Sequence, residues 1–353
     1  MRTLNLKYLF LSALLLLVSG CIDPLELNIG SDAKRLVVDG LITNEPGPYT
    51  VKLSMSEPYA TYTGGRSVAV QEAAVVISDE QGTREELTET SPGIYQTSIN
   101  GIRGEVGHTY TVTIRTKEGR TYTSAPEMLL PVAELDSLYA EVKPQQVLNS
   151  ENIEETVYVV NVYADAQDPV QAKNFYRWQW EGTYRVSTQP WDYSEKVRGV
   201  RVPMPKDCCA ICWITNHTNN VNVQDDRLIN GGGIKHHLVT QLPVTAQTFG
   251  TKYYLEVKQL SVSEAAFDFW STLGEQISTV GSIQDPPPAT IIGNISSIDN
   301  PEEKVLGFFG ASAVSRKTIF VRREELGVNP GELILPDDCR VLAGSTTEQP
   351  SFW

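Results

Sequence analysis

The chain has 353 residues, 41% of them hydrophobic and 20% charged, an ordinary globular composition that sets disorder aside as the default. Its formal charge of −14 repels phosphate backbones and anionic lipid heads, which argues against nucleic-acid binding; solubility on a crowded surface is the plain account of the acidity. The length allows two domains of ordinary size.

The first twenty-one residues, MRTLNLKYLFLSALLLLVSGC, combine a basic start (Arg2, Lys7), an apolar run from Leu9 to Val18 and small residues before Cys21. That is the layout of a secretory signal peptide over 1–20. The apolar run is about half of what a bilayer crossing needs. Val18-Ser19-Gly20-Cys21 resembles a bacterial lipobox, so Cys21 is expected to be lipidated and to head the mature chain, more acidic by two charges. Its acyl chains exceed the two signals that stable anchoring requires. The competing reading is an ordinary cut followed by a free thiol. Residues 21–33 form a tether in which Asp23 and Glu26 faintly resemble acidic surface-export signals. The expected place is the outer membrane, with the body exposed at the cell surface.

Four cysteines remain: Cys208, Cys209, Cys212 and Cys339. An even count in an exported chain points to two disulfides, with three connectivities open. A link from the 208–212 cluster to Cys339 would staple the tail to the middle of the chain. CCxxC also has zinc-like spacing, but such sites belong mostly to reducing compartments, and no metal or other cofactor is assigned.

From 34 to 131 the chain alternates with period two between turn residues: LVVDGLI, YTVKLS, Val68 to Ser78, GIYQT, TYTVTIR and TYTS, with Gly101, Gly104, Gly107 and Gly119 between them. Strands at this spacing predict an immunoglobulin-like β-sandwich. The Gly-x-Tyr and Gly-x-x-Tyr-x-Val pattern resembles carboxypeptidase-regulatory, prealbumin-like modules.

Residues 132–353 read as a larger β-rich domain with one prominent helix, so the fold class is mainly β. Strands are expected at Thr156 to Ala164 and Asn174 to Val186. In the latter, Tyr176, Trp178 and Trp180 share one face, read as core, while Arg177, Gln179 and Glu181 share the other, read as facing water. Tyr184, Trp191 and Tyr193, irregularly spaced near a proline, are the candidate exposed aromatics for a ligand. Residues 206–233 read as an irregular, disulfide-tied loop. Its Asp225 and Asp226 suggest calcium, although the alternating acids of an EF-hand are missing; local turns are the plainer reading. His236 and His237 point to opposite faces of a strand and cannot easily share an ion. After a strand at Thr251 to Gln259, a helix is expected over 262–279, with Ser261 and Glu264 at capping-box spacing and Ala266, Trp270, Leu273 and Ile277 as its stripe. A Pro-rich connector, three more strands (Thr290 to Ile295, Val305 to Ala313, Lys317 to Arg322) and a tail covering the sheet complete the chain.

The lipobox with Ile22-Asp23-Pro24, then LVVDGLITNEPGPYTVKLS, GIYQT, GHTYTVTI, NFYRWQWEGTY, DDRLING, YYLEVKQLSVSEAAFDFWSTLGEQ and PPPATIIGNISSIDNPEEKVLGFFGASAV together resemble the Bacteroidota lipoproteins of the DUF4249 family. The family carries no agreed activity and no catalytic motif, so no site residue transfers. The resemblance implies a setting beside TonB-dependent outer-membrane receptors. The leading expectation is a non-catalytic accessory partner of such a receptor, aiding capture or uptake of a peptide or glycan. A hydrolase of surface polymers is the first alternative; the sequence lacks Gly-x-Ser-x-Gly, His-Glu-x-x-His and a phosphate loop, although its acids allow many carboxylate pairs. A structural envelope or adhesion protein is the second.

Overall fold

The computed structural model describes residues 34–56, 67–167, 173–227, 231–278 and 291–353. The signal peptide, Cys21 and the tether lie outside them, as does the Pro-rich connector. The described residues are mainly β, arranged in several sheets with a single α-helix among them.

The first two sheets build a sandwich. One runs Leu306–Ser312, Leu36–Thr43, Thr50–Met55, Ile94–Gln96, Thr88–Ser91, and the other Ile295–Ser297, Thr121–Ser124, Thr109–Arg115, Ala74–Asp79, Arg84–Glu86. Alternation sets the inner faces: Leu36, Val38 and Ile42 from one sheet meet Val75, Ile77, Val112 and Ile114 from the other, all buried. Burial of each such side chain contributes roughly 1.5–3 kcal/mol.

The expected sandwich of 34–131 is not closed by those residues. Leu306–Ser312 adds a parallel strand to Leu36–Thr43, and Ile295–Ser297 adds an antiparallel one to Thr121–Ser124. Ile295, Val305, Phe309, Ala311 and Ala313 enter the same core. Asn294 fixes this return: its Oδ1 accepts from the Phe309 amide at 3.0 Å and its Nδ2 donates to the Phe309 carbonyl at 2.8 Å.

The second body places a long hairpin, Leu135–Leu148 with Glu154–Gln167, beside Gly233–Pro243 in a three-stranded sheet. Facing it is a larger sheet ordered Val314–Arg322, Lys252–Ser261, Phe175–Ser187, Ile211–His217, Ser345–Thr346. Between them lie Val160, Val162 and Ala164 from the hairpin and Tyr176, Trp178 and Trp180 from the larger sheet. The aromatic row is core, as its alternation requires.

Two expectations about elements change. The stretch 206–233 contains the strands Ile211–His217 and Asn222–Asp225. Cys212, Trp213 and Ile214 are all buried, so both faces are covered and the period-two signal is lost. The helix, α1, spans Glu264–Ser278 and is capped by Ser263, whose Oγ accepts from the Ala266 amide at 3.1 Å. Ser261 ends the preceding strand instead, with its hydroxyl donating to the Leu130 carbonyl at 2.6 Å. The stripe expected on α1 also ends early, since Ile277 is exposed.

The two bodies are joined through continuous chain. Leu306–Ser312 belongs to the sandwich, and Val314–Arg322, directly after Ala313, belongs to the larger sheet of the second body. Polar contacts reinforce the passage. Glu45 pairs with Arg316 at 2.6 Å and Lys258 at 3.5 Å. Glu127, buried and shifted upward by desolvation, accepts hydrogen bonds from the Ser263 hydroxyl at 2.7 Å and the Asn294 amide at 3.3 Å.

Candidate functional site

Helix α1 lies over the place where the sandwich meets the second body. Phe267 packs on Phe175 of the larger sheet at 5.0 Å, and Phe269 packs on Phe308 of the sandwich at 5.2 Å. Phe308 points outward because its neighbour Phe309 points into the sandwich core; one strand thus supplies both a core residue and a cleft wall. Between helix and strands remains a cavity of about 340 Å³, bounded by Asp39 and Leu41, by Arg177 and Gln179, and by Trp270 and Phe308. A more open, mostly apolar groove of about 470 Å³ shares Asp39, Trp270 and Phe308 and extends past Phe269 towards Arg35.

Arg177 stands on the outward face of Phe175–Ser187, the face expected to meet water. The helix covers it. Its guanidinium carbon sits 3.4 Å from the centre of the Trp270 ring, a cation–π contact. Burial lowers it from its ordinary value to about 10, with the Asp39 carboxylate acting in the opposite direction, so it stays charged at neutral pH. Among the described residues no side-chain hydrogen bond or ion pair engages this guanidinium. A guanidinium carries five donors, and stacking on a ring satisfies none of them. Asp39 stands at the mouth, 63% exposed, 4.0 Å from Lys52. The two opposite charges line one cavity without closing on each other.

The residues singled out from sequence do not gather into one site. Tyr184 is 4% exposed, stacked on Tyr253 at 5.5 Å, with its hydroxyl accepting from Gln247 at 3.2 Å; it is core and not a surface contact. Trp191 is 59% exposed beside a small separate hairpin, Ser194–Val197 with Val200–Pro203. Tyr193 lies beneath the Lys206 ammonium, 3.8 Å from its ring centre, and its hydroxyl donates to Glu195 at 3.1 Å. Asp225 is spent on the Arg227 side chain at 2.7 Å and on the Arg227 amide. Asp226 is 1% exposed and accepts from the Asn174 amide at 2.8 Å. Asp225 holds its own turn, and Asp226 ties the strand end to the distant Asn174.

Cys212 and Cys339 form a disulfide across a sequence separation of 127 residues, Cα atoms 5.8 Å apart, and Cys208 is bonded to Cys209. The tail is therefore tied to the strand Ile211–His217, and Ser345–Thr346 pairs along that strand's edge. The sulfurs of Cys208 and Cys209 and a carboxylate oxygen of Asp338 lie within 4.8 Å of one another. The zinc-like spacing is nevertheless broken, because Cys212 turns to Cys339 and Asp338 forks onto Arg340. His236 stacks on Tyr163 and His237 on Trp178, on opposite faces.

The sequence pattern set Arg177 on the water-facing side of its strand and Trp270 on the apolar stripe of the helix, and marked neither as a site residue. Alternation placed Arg177 away from the aromatic core; nothing in spacing shows that a helix about ninety residues later closes over it.

The fold and the cleft define a class: a mainly β protein whose two bodies are joined by consecutive strands and, among the described residues, border an aromatic- and cation-lined cavity beneath one helix. The family described as "Domain of unknown function (DUF4249)" matches residues 22–318, and the chain belongs to that family. The match includes every residue of the cavity and stops short of Cys339. No curated protein matches the chain.

Proposed function

We propose that this protein is an outer-membrane lipoprotein, anchored through Cys21 and exposed at the cell surface, that serves a TonB-dependent receptor as a non-catalytic binding partner in nutrient capture or uptake. The observation that carries the binding role is the cavity under α1, where a largely desolvated guanidinium on an indole has no ion-pair partner among the described residues and strands form the walls. Pockets of this kind, apolar with a few fixed polar groups, are built to hold a small ligand. The lipobox supports the anchor. The fifteen residues from Cys21 to the first strand reach at most about 50 Å when extended, so the body stays close to the membrane.

Affinity purification of the intact lipoprotein from solubilised membranes tests the reading. A stoichiometric β-barrel receptor is the expected companion. A solitary protein that cleaves a surface polymer would replace this proposal with the hydrolase reading.

A further inference from the structure

We propose that the cavity under α1 binds a zwitterionic ligand, an amino acid or short peptide with an apolar side chain, whose carboxylate pairs with Arg177 and whose ammonium faces Asp39. This deepens the binding-protein reading and rests on it. A largely desolvated guanidinium with no ion pair among the described residues is expensive to maintain, and its fork geometry matches a carboxylate. The Trp270 ring lies against the guanidinium and takes up none of its N–H donors, which leaves them for two parallel hydrogen bonds to a carboxylate. A simple anion would meet Asp39 and an acidic protein; a ligand carrying both charges turns that repulsion into a second contact. The volume of about 340 Å³ suits a ligand of this size, and the adjoining apolar groove along Trp270 and Phe308 offers room for a side chain or a second residue.

The test is calorimetric titration of the full-length lipoprotein in detergent with L-phenylalanine and glycyl-L-phenylalanine, each compared with its amide and its N-acetyl form. The free forms are expected to bind with Kd below about 1 mM. Amidation should weaken binding at least about tenfold, the loss of a charge-assisted fork. Arg177→Met should abolish binding while keeping or raising Tm, because an apolar chain of similar length still covers the indole without burying charge. A structural arginine would instead lower Tm and leave affinity unchanged, which overturns the proposal. Arg177→Lys keeps the charge and loses the fork, so it should bind more weakly than the parent; if Arg177→Met fails to fold, this variant and the ligand series decide. Asp39→Asn should weaken the free forms and leave the N-acetyl forms unaffected. Absence of saturable binding by both free forms up to about 10 mM, or equal binding by the amides, contradicts the proposal. Such a result alongside a co-purifying receptor removes this ligand and spares the partnership; ligand binding without a receptor does the reverse.

Discussion

At Gly307 the backbone φ is +91°, and a Cβ there would stand 1.9 Å from the Val38 carbonyl oxygen. This residue allows the returning strand to lie against the first strand of the sandwich. Gly307→Ala combines a strained φ with a backbone clash and should cost roughly 3 kcal/mol or more, read as a fall in the chemical-denaturation midpoint. His237 gives the molecule an acid limit. Burial lowers its imidazole from 6.5 to about 4, so between those values the unfolded chain binds a proton that the folded one refuses. Its contribution is complete above about pH 6.5 and is lost as pH falls to about 4, amounting to roughly 3 kcal/mol. His237→Gln should flatten that part of the stability profile. The Asp338 carboxyl, held down to about 2 chiefly by Arg340, acts lower: its contribution is present above the ordinary carboxylate value and fades as pH falls towards 2. Cys339→Ser opens a 127-residue link and should cost about 2–5 kcal/mol. Peptide mapping without reductant should recover the Cys212–Cys339 pair from the parent protein.

At the scale of elements, what the sequence showed and what it hid follow one physical rule. Strands with one face in the core, such as Thr109–Arg115 and Thr121–Ser124, alternate cleanly and are legible. Ile211–His217, covered on both faces, loses its period and reads as loop. Pairings between distant segments leave no local trace: nothing in LGFFGAS says that it runs parallel to LVVDGLIT more than 260 residues earlier. The same limit hid the cleft, since Arg177 gains its meaning from Trp270 and Phe308 on other elements. The helix cap illustrates a smaller shift. Ser261 and Glu264 have the right spacing, but the strand holds Ser261 and the cap falls to Ser263. A polypeptide of residues 34–131 alone lacks two edge strands and Phe309, and should give a poorly dispersed amide NMR spectrum. Addition of 291–313 through a linker should restore dispersion; a well-folded 34–131 would show that the borrowed strands are accessory.

For the whole molecule, the passage of consecutive strands from one body to the other makes the cleft a consequence of assembly. Ser312 and Val314 flank the single residue at which the chain leaves the sandwich for the second body, and α1 closes over that crossing. A ligand held there would touch both bodies and stabilise them together by mass action. In the proposed function Cys21, fifteen residues before the first strand, anchors the body, while the tail is pinned by the Cys212–Cys339 disulfide. The central claim, that this body works tethered to the outer membrane, is tested most directly by mass spectrometry of the N-terminal peptide from membrane-extracted protein. The account predicts a mature chain that begins at Cys21 and carries diacylglyceryl and acyl mass on that residue. An unacylated chain recovered from the soluble periplasmic fraction would contradict it.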